Sequence, residues 1–254
     1  MTTERSTYQP GTPCWFELGV PDPAAAKRFY GALLGWDFED YPNRYAVGQV
    51  RGKAVAGINP DDPGGEPDRW AVYFATDDLD GTVKRAVDAG ATVVNPLVEL
   101  PDRGRYAILR DPEGAAFRLW EGSAWHGAEL MSEHGATTWF ELRTSDTARA
   151  AEFYRSVLER DIDPLGIPGF DYLVIKESAG KPVAGLFGVP GEPARWTGYF
   201  SVSDTDAAVA RATDAGAELR DGPQDSPRGR LAWLVDPFGA EVAVISPPPS
   251  GGGR

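Results

Sequence analysis

TPCWFELGVPDPAAAKRFYGALLGW, residues 12–36, returns in the second half of the chain as TTWFELRTSDTARAAEFYRSVLER, residues 137–160. Each copy reads as a strand followed by a helix. In Trp15-Phe16-Glu17-Leu18 the side chains alternate between two faces. Phe16 and Leu18 suit packing under a helix, while Trp15 and Glu17 turn the other way. Asp22 is the expected N-cap and Pro23 the first helical residue. Ala26, Phe29, Tyr30, Leu33 and Leu34 form the buried stripe, and Gly35 the stop. In the second copy Asp146 is the cap, and Ala150, Phe153, Tyr154, Val157 and Leu158 form the stripe.

The duplication extends outward from this pair. Gly65-Glu-Pro-Asp-Arg-Trp70 answers to Gly191-Glu-Pro-Ala-Arg-Trp196, and Asp88-Ala-Gly-Ala91 to Asp214-Ala-Gly-Ala217. Arg103-Gly-Arg105 answers to Arg228-Gly-Arg230, and Asp111-Pro112 to Asp236-Pro237. Between these marks lie extended segments near 45–50, 54–58, 70–75, 92–94, 106–109 and 116–120. A second helix carries Leu79, Val83, Ala86 and Val87 on one face. The later half repeats the order, with strands near 172–175, 183–186, 196–202, 231–234 and 241–245. The spacing divides the chain into a first domain, 1–122, a linker, 123–135, a second domain, 136–246, and a flexible tail, 247–254.

Composition narrows the functional classes. The chain has 254 residues, 42% of them hydrophobic, enough for two compact cores. A net charge of -13 argues against nucleic acid and anionic membrane surfaces as partners. The absence of a long apolar run or signal peptide leads us to expect a cytoplasmic protein. A single cysteine, Cys14, excludes an internal disulfide. The Gly-rich loop 59–68 lacks the pattern of a phosphate cradle.

The ordered set of motifs is a strand, a helix bearing Phe-Tyr and Leu-Gly, an Asp-Asp-Leu-Asp helix ending in Ala-Gly-Ala, and a closing Asp-Pro-x-Gly hairpin. It resembles the glyoxalase, bleomycin-resistance and extradiol-dioxygenase superfamily, whose members are also called vicinal oxygen chelate proteins. The likeness is greatest to two-domain glyoxalase-like proteins of actinobacteria, some known as hydroxylases. It implies an α+β architecture of tandem domains, each made of two βαβββ modules curling a sheet around a cavity. It also implies metal ligands, His, Gln or Glu, at fixed strand positions. Here those positions hold Trp15, Ala71 and Arg118 in the first half, and Trp139, Thr197 and Ala243 in the second. The remaining position falls in 54–58 or 183–186, which offer no ligand. Indole, methyl, hydroxyl and guanidinium groups do not form a divalent-metal site. Both histidines, His126 and His134, fall in the linker. The expectation is therefore no metal and no cofactor.

Strand alternation then nominates the residues that face the cavities. In the first these are Trp15, Glu17, Tyr73, Arg118 and Trp120. In the second they are Trp139, Glu141, Arg143, Thr197, Tyr199 and Glu241. Aromatic walls with a few polar groups suit a small, flat, largely aromatic or hydrophobic ligand. Binding or sequestration is one reading. A cofactor-independent enzyme is another, with Glu17 or Glu141 moving a proton and Arg118 steadying an oxyanion. A scaffold with cavities collapsed around their own tryptophans is a third, and a metal enzyme with unusual ligands a distant fourth. Glu17 and Arg118 also fit a plain buried ion pair. The domains are expected to pair within one chain, as a monomer, or in a homodimer.

Overall fold

The computed structural model describes residues 4–60 and 69–248. Most of the expected loop over 59–68, and the tail beyond 248, lie outside the described residues. The first half runs β1 (Pro13–Gly19), α1 (Pro23–Leu34), β2 (Asp37–Asp40), β3 (Ala46–Val50), β4 (Lys53–Asn59), β5 (Arg69–Ala75), α2 (Leu79–Asp88), β6 (Thr92–Leu100), β7 (Gly104–Arg110) and β8 (Ala116–Gly122). The second runs β9 (Thr137–Thr144), α3 (Thr147–Leu158), β10 (Ile162–Pro164), β11 (Tyr172–Lys176), β12 (Pro182–Gly188), β13 (Arg195–Ser201), α4 (Thr205–Asp214), β14 (Glu218–Ser226), β15 (Gly229–Val235) and β16 (Glu241–Ser246). Each half is one eight-stranded sheet built from two βαβββ modules. The order is β2-β3-β4-β1-β5-β8-β7-β6 and, correspondingly, β10-β11-β12-β9-β13-β16-β15-β14. The two modules meet where β1 pairs antiparallel with β5, and β9 with β13.

Helix ends follow the chemistry of their caps. Asp22 accepts the Ala25 amide, and Asp146 accepts that of Arg149, both at 3.0 Å. Gly35 closes α1 at φ 72, a left-handed turn that costs glycine least. Val87, expected on the buried stripe of α2, is 46% exposed, and Thr82 takes its place inside. The Thr82 hydroxyl reaches the Asp78 carbonyl, so this polar residue is buried without an unmet bond. Strand β6 is longer than its three expected residues, and β2, β10 and β14 were not foreseen. β2 and β10 are short and polar, and β14 (ELRDGPQDS) reads as a loop. All three are edge strands or lie beside one, where no apolar alternation is required.

The faces bearing Phe16 and Phe140 merge into one core shared by both halves. Phe16 stacks on Trp70 at 4.4 Å and meets Phe140 edge-on at 5.5 Å. A Cβ on Gly198 would sit 2.3 Å from the Phe16 ring, so that strand position must stay bare. Two matching hydrogen-bond chains cross the junction. Trp70 donates to Tyr30, which donates to Asp236 at 2.6 Å. Trp196 donates to Tyr154, which donates to Asp111 at 3.0 Å. The other oxygen of each aspartate caps its own Asp-Pro-x-Gly turn, Asp236 through the Phe238 and Ala240 amides and Asp111 through those of Glu113 and Ala115. The repeated Phe-Tyr and Asp-Pro motifs are thus two ends of one contact. We expect Tyr30→Phe and Tyr154→Phe each to cost about 1.5–3 kcal/mol in guanidinium unfolding, since a buried bond to a charged acceptor is lost. Losses under about 0.5 kcal/mol for both would show these chains to be idle.

Candidate functional site

The other face of each sheet is a bowl with a carboxylate in its wall. In the first bowl Glu17 is buried at 4% exposure and Arg118 at 3%. Arg118 Nη1 lies 2.6 Å from Glu17 Oε1 and 2.5 Å from the Tyr73 hydroxyl. Tyr73 and Tyr45 donate to the two Glu17 oxygens at 2.8 Å, and Asn59 adds a fourth donor at 3.1 Å. Trp15 donates its Nε1 to the Tyr45 oxygen at 3.3 Å. Of this cluster, Trp15, Glu17, Tyr73 and Arg118 were expected together, while Tyr45 and Asn59 were not. Gly57 makes room for the reach of Tyr45, since a Cβ there would lie 2.3 Å from the phenol oxygen.

This bowl is filled from within. Trp15, Tyr73, Tyr106, Ile108 and Trp120 form a second core with Tyr8 and Trp125 packed on it. Trp125 meets Trp15 edge-on at 4.6 Å and Trp120 at 5.4 Å, and its carbonyl accepts the Trp120 Nε1. The segment expected as the linker, 123–135, also covers the first bowl with Trp125. The physical reason is its tryptophan, whose large apolar area is stabilised by burial. His126 follows it into a cleft of about 360 Å³ outside the bowl, lined also by Glu4, Tyr8, Lys53 and Glu129. His134 accepts the Ser203 amide at 3.1 Å.

The second bowl repeats the frame and changes the contents. Trp139 donates to Tyr172 at 2.9 Å, and Tyr172 and Tyr199 each donate to Glu141 at 2.8 Å. Gly185, like Gly57, leaves room for the tyrosine. By strand register Ala243 stands where Arg118 stands, and Phe187 where Asn59 does. Among the described residues Glu141 therefore touches two hydroxyls and no cation. Burial raises its carboxyl above the usual range, against the lowering effect of the two tyrosines and Arg143. Burial also raises the Tyr172 and Tyr199 phenols, which stay protonated donors. Thr197, directly across from Glu141, is buried, and its hydroxyl has no hydrogen-bond partner among the described residues. Arg143 and Glu241 sit apart from this cluster. Arg143 lies over the Phe187 ring and 3.3 Å from Glu192, and Glu241 is held by Arg195 at 2.7 Å and by Arg220. Trp139, Tyr172, Phe187 and Trp233 are only half-buried. A small hollow of about 70 Å³ adjoins Trp139 on the side of Thr12 and Lys181.

The positions that the resemblance assigns to metal ligands do not fit an ion. One corner is occupied by a guanidinium bonded to Glu17, and the other is ringed by indole, methyl and hydroxyl groups. Among the described residues no three His, Cys, Asp or Glu side chains gather where they could hold a metal. Among the described residues, too, no helix is long and apolar enough to cross a membrane.

Comparison with known proteins gives the family and the fold. Residues 14–119 match the glyoxalase/bleomycin resistance protein/dioxygenase superfamily, and residues 139–245 match the glyoxalase-like domain. The chain belongs to that superfamily. It is 38% identical to "Putative glyoxylase CFP32" of Mycobacterium tuberculosis, over 97% of this chain and 98% of the relative. It is 37% identical to the anthracycline biosynthesis protein DnrV of Streptomyces peucetius, over 94% of each. Its fold matches the Mn(II)-bound glyoxalase of Novosphingobium aromaticivorans with a TM-score of 0.66 at 17% identity, covering 94% of this chain and 82% of that one. A trihydroxybiphenyl dioxygenase of Sphingomonas wittichii shares the fold at a TM-score of 0.61 and 15% identity, covering 95% and 91%.

The two carboxylates should answer substitution in opposite ways. Glu17→Gln leaves Arg118 buried without its counter-ion, and we expect a loss of about 3–5 kcal/mol. Glu141→Gln mimics the neutral acid that burial already favours, and should stabilise at neutral pH. The stability Glu141 contributes is complete below the ordinary carboxylate range and is lost as pH rises through its raised value. Thermal melts from pH 4 to 9 should show the Glu141→Gln protein gaining on the native protein as pH increases. Asp111, also raised by burial, is common to both and cancels. A constant difference at every pH would contradict the assignment.

Proposed function

We propose that the protein binds a small, flat, largely aromatic molecule in the second bowl, without a metal. One observation carries this reading. The first bowl covers its aromatic floor with its own Trp125 and Tyr8, whereas the second leaves Trp139, Tyr172, Phe187 and Trp233 half-buried around an acid. Rings of this kind give a planar guest stacking and apolar area, and the few polar groups orient it. Relatives named for anthracycline biosynthesis support the same class of guest, since an anthracycline is a fused, flat aromatic system. The donor chemistry of both corners supports binding without an ion.

Glu141 favours a second reading, in which the bowl turns its ligand over. A buried carboxyl whose proton affinity is raised by burial is suited to give or take a proton. The unpartnered Thr197 hydroxyl opposite it is a further group for a reacting oxygen.

Calorimetric titration with 1,8-dihydroxyanthraquinone tests the binding reading. Saturable binding is expected, weakened about tenfold or more by Trp139→Ala or Trp233→Ala, a loss of about 1.4 kcal/mol each. Trp15→Phe, in the filled bowl, should leave the affinity unchanged. No heat of binding would end this reading. For turnover, Glu141→Gln should abolish conversion of a ligand that the native protein consumes, while binding persists; an unchanged rate would remove Glu141 from the chemistry.

A further inference from the structure

The tips of the β6–β7 and β14–β15 hairpins are the same device in two states. Each carries Arg-Gly-Arg, with the glycine at positive φ, 150 at Gly104 and 137 at Gly229. The second arginine of each is tied down, Arg105 to Asp80 and Arg230 to Asp206, both at 2.9 Å. The first arginine differs. Arg103 is half-buried, with its guanidinium 4.6 Å above the ring of Tyr41, on the connection between β2 and β3. That contact joins the two ends of the sheet across the mouth of the first bowl. A cation over an aromatic face is stabilising there, and no ligand is needed to complete it.

Arg228 is exposed, and among the described residues its guanidinium forms no ion pair. Its charge reaches Tyr172, where it opposes the burial that raises the phenol. On the duplicated hairpin it occupies the position that corresponds to Arg103. The corresponding connection, 165–171, offers it no ring. Its one aromatic, Phe170, is 60% exposed and makes no ring contact among the described residues. Several other charges on this rim are matched, Arg143 and Arg195 with Glu192, Arg195 and Arg220 with Glu241, and Lys176 with Asp163. Among the described residues Arg228 is thus a rim cation without an ion pair, as is Lys181 beside the hollow next to Trp139.

We propose that Arg228 selects the ligand of the second bowl, and that it selects an aromatic molecule bearing a carboxylate. The planar guanidinium can take both carboxylate oxygens while the rings of the ligand lie against Trp139 and Tyr172. The proposal rests on the binding reading above, and one experiment separates the two. Calorimetry compares anthraquinone-2-carboxylate with 2-(hydroxymethyl)anthraquinone, on the native protein, Arg228→Ala, Arg228→Lys and Arg103→Ala. The native protein should favour the carboxylate about five- to tenfold at low salt, less as salt is raised. Arg228→Ala should lose that preference and keep its affinity for the hydroxymethyl compound. Arg228→Lys should keep part of it, and Arg103→Ala all of it. Equal binding of both compounds by the native protein, or a preference that survives in Arg228→Ala, overturns the role of Arg228. Failure of both compounds to bind defeats the underlying reading and this one with it.

Discussion

A carboxylate set into the wall of a closed sheet must be satisfied, and each half of this protein solves that problem once. Removing a charged acid from water costs several kcal/mol unless partners replace the solvent. In the first half the solution is an ion pair, with Arg118, Tyr45, Tyr73 and Asn59 converging on Glu17. In the second the arginine is replaced by Ala243 and the asparagine by Phe187, so Glu141 keeps only hydroxyl donors. Burial then favours the protonated acid. Two replacements, at β8 versus β16 and at β4 versus β12, thus separate a buried ion pair from a buried acid held by hydroxyls.

The shared core explains why the bowls, and not the opposite faces, have diverged. Phe16, Trp70, Phe140 and Phe200 interlock between the sheets, and Gly198 exists as glycine because Phe16 fills its space. Any change of volume there is felt by both halves. The concave faces have no such neighbour. The first could accept a tryptophan from the connecting segment, and the second could keep its aromatic floor half-buried.

Much of this was legible in the sequence. Alternation in Trp15–Leu18 and Trp139–Leu142 told which residues face inward, and the duplicated order of motifs told the fold. The pairing of Glu17 with Arg118, and the lack of a charged counterpart at Ala243, could also be read there. Tyr45, Tyr172 and Asn59 could not. They come from edge-ward strands and strand ends, where register depends on bulges and glycines that no periodicity reveals. Trp125 was hidden for a different reason. A short polar-flanked stretch between repeats carries no pattern, and only the packed chain shows which hollow its one large side chain fills. Arg143 and Glu241, nominated among the inward-facing residues, pair with rim charges close to the ends of their strands.

The reciprocal tyrosine-to-aspartate ties have a consequence for how such a protein can evolve. Each half holds the turn of the other in place, so the pair stays upright even when one copy changes its inner lining. A duplicated chain wired this way lets the inner face of one repeat change while its sibling still anchors the shared junction.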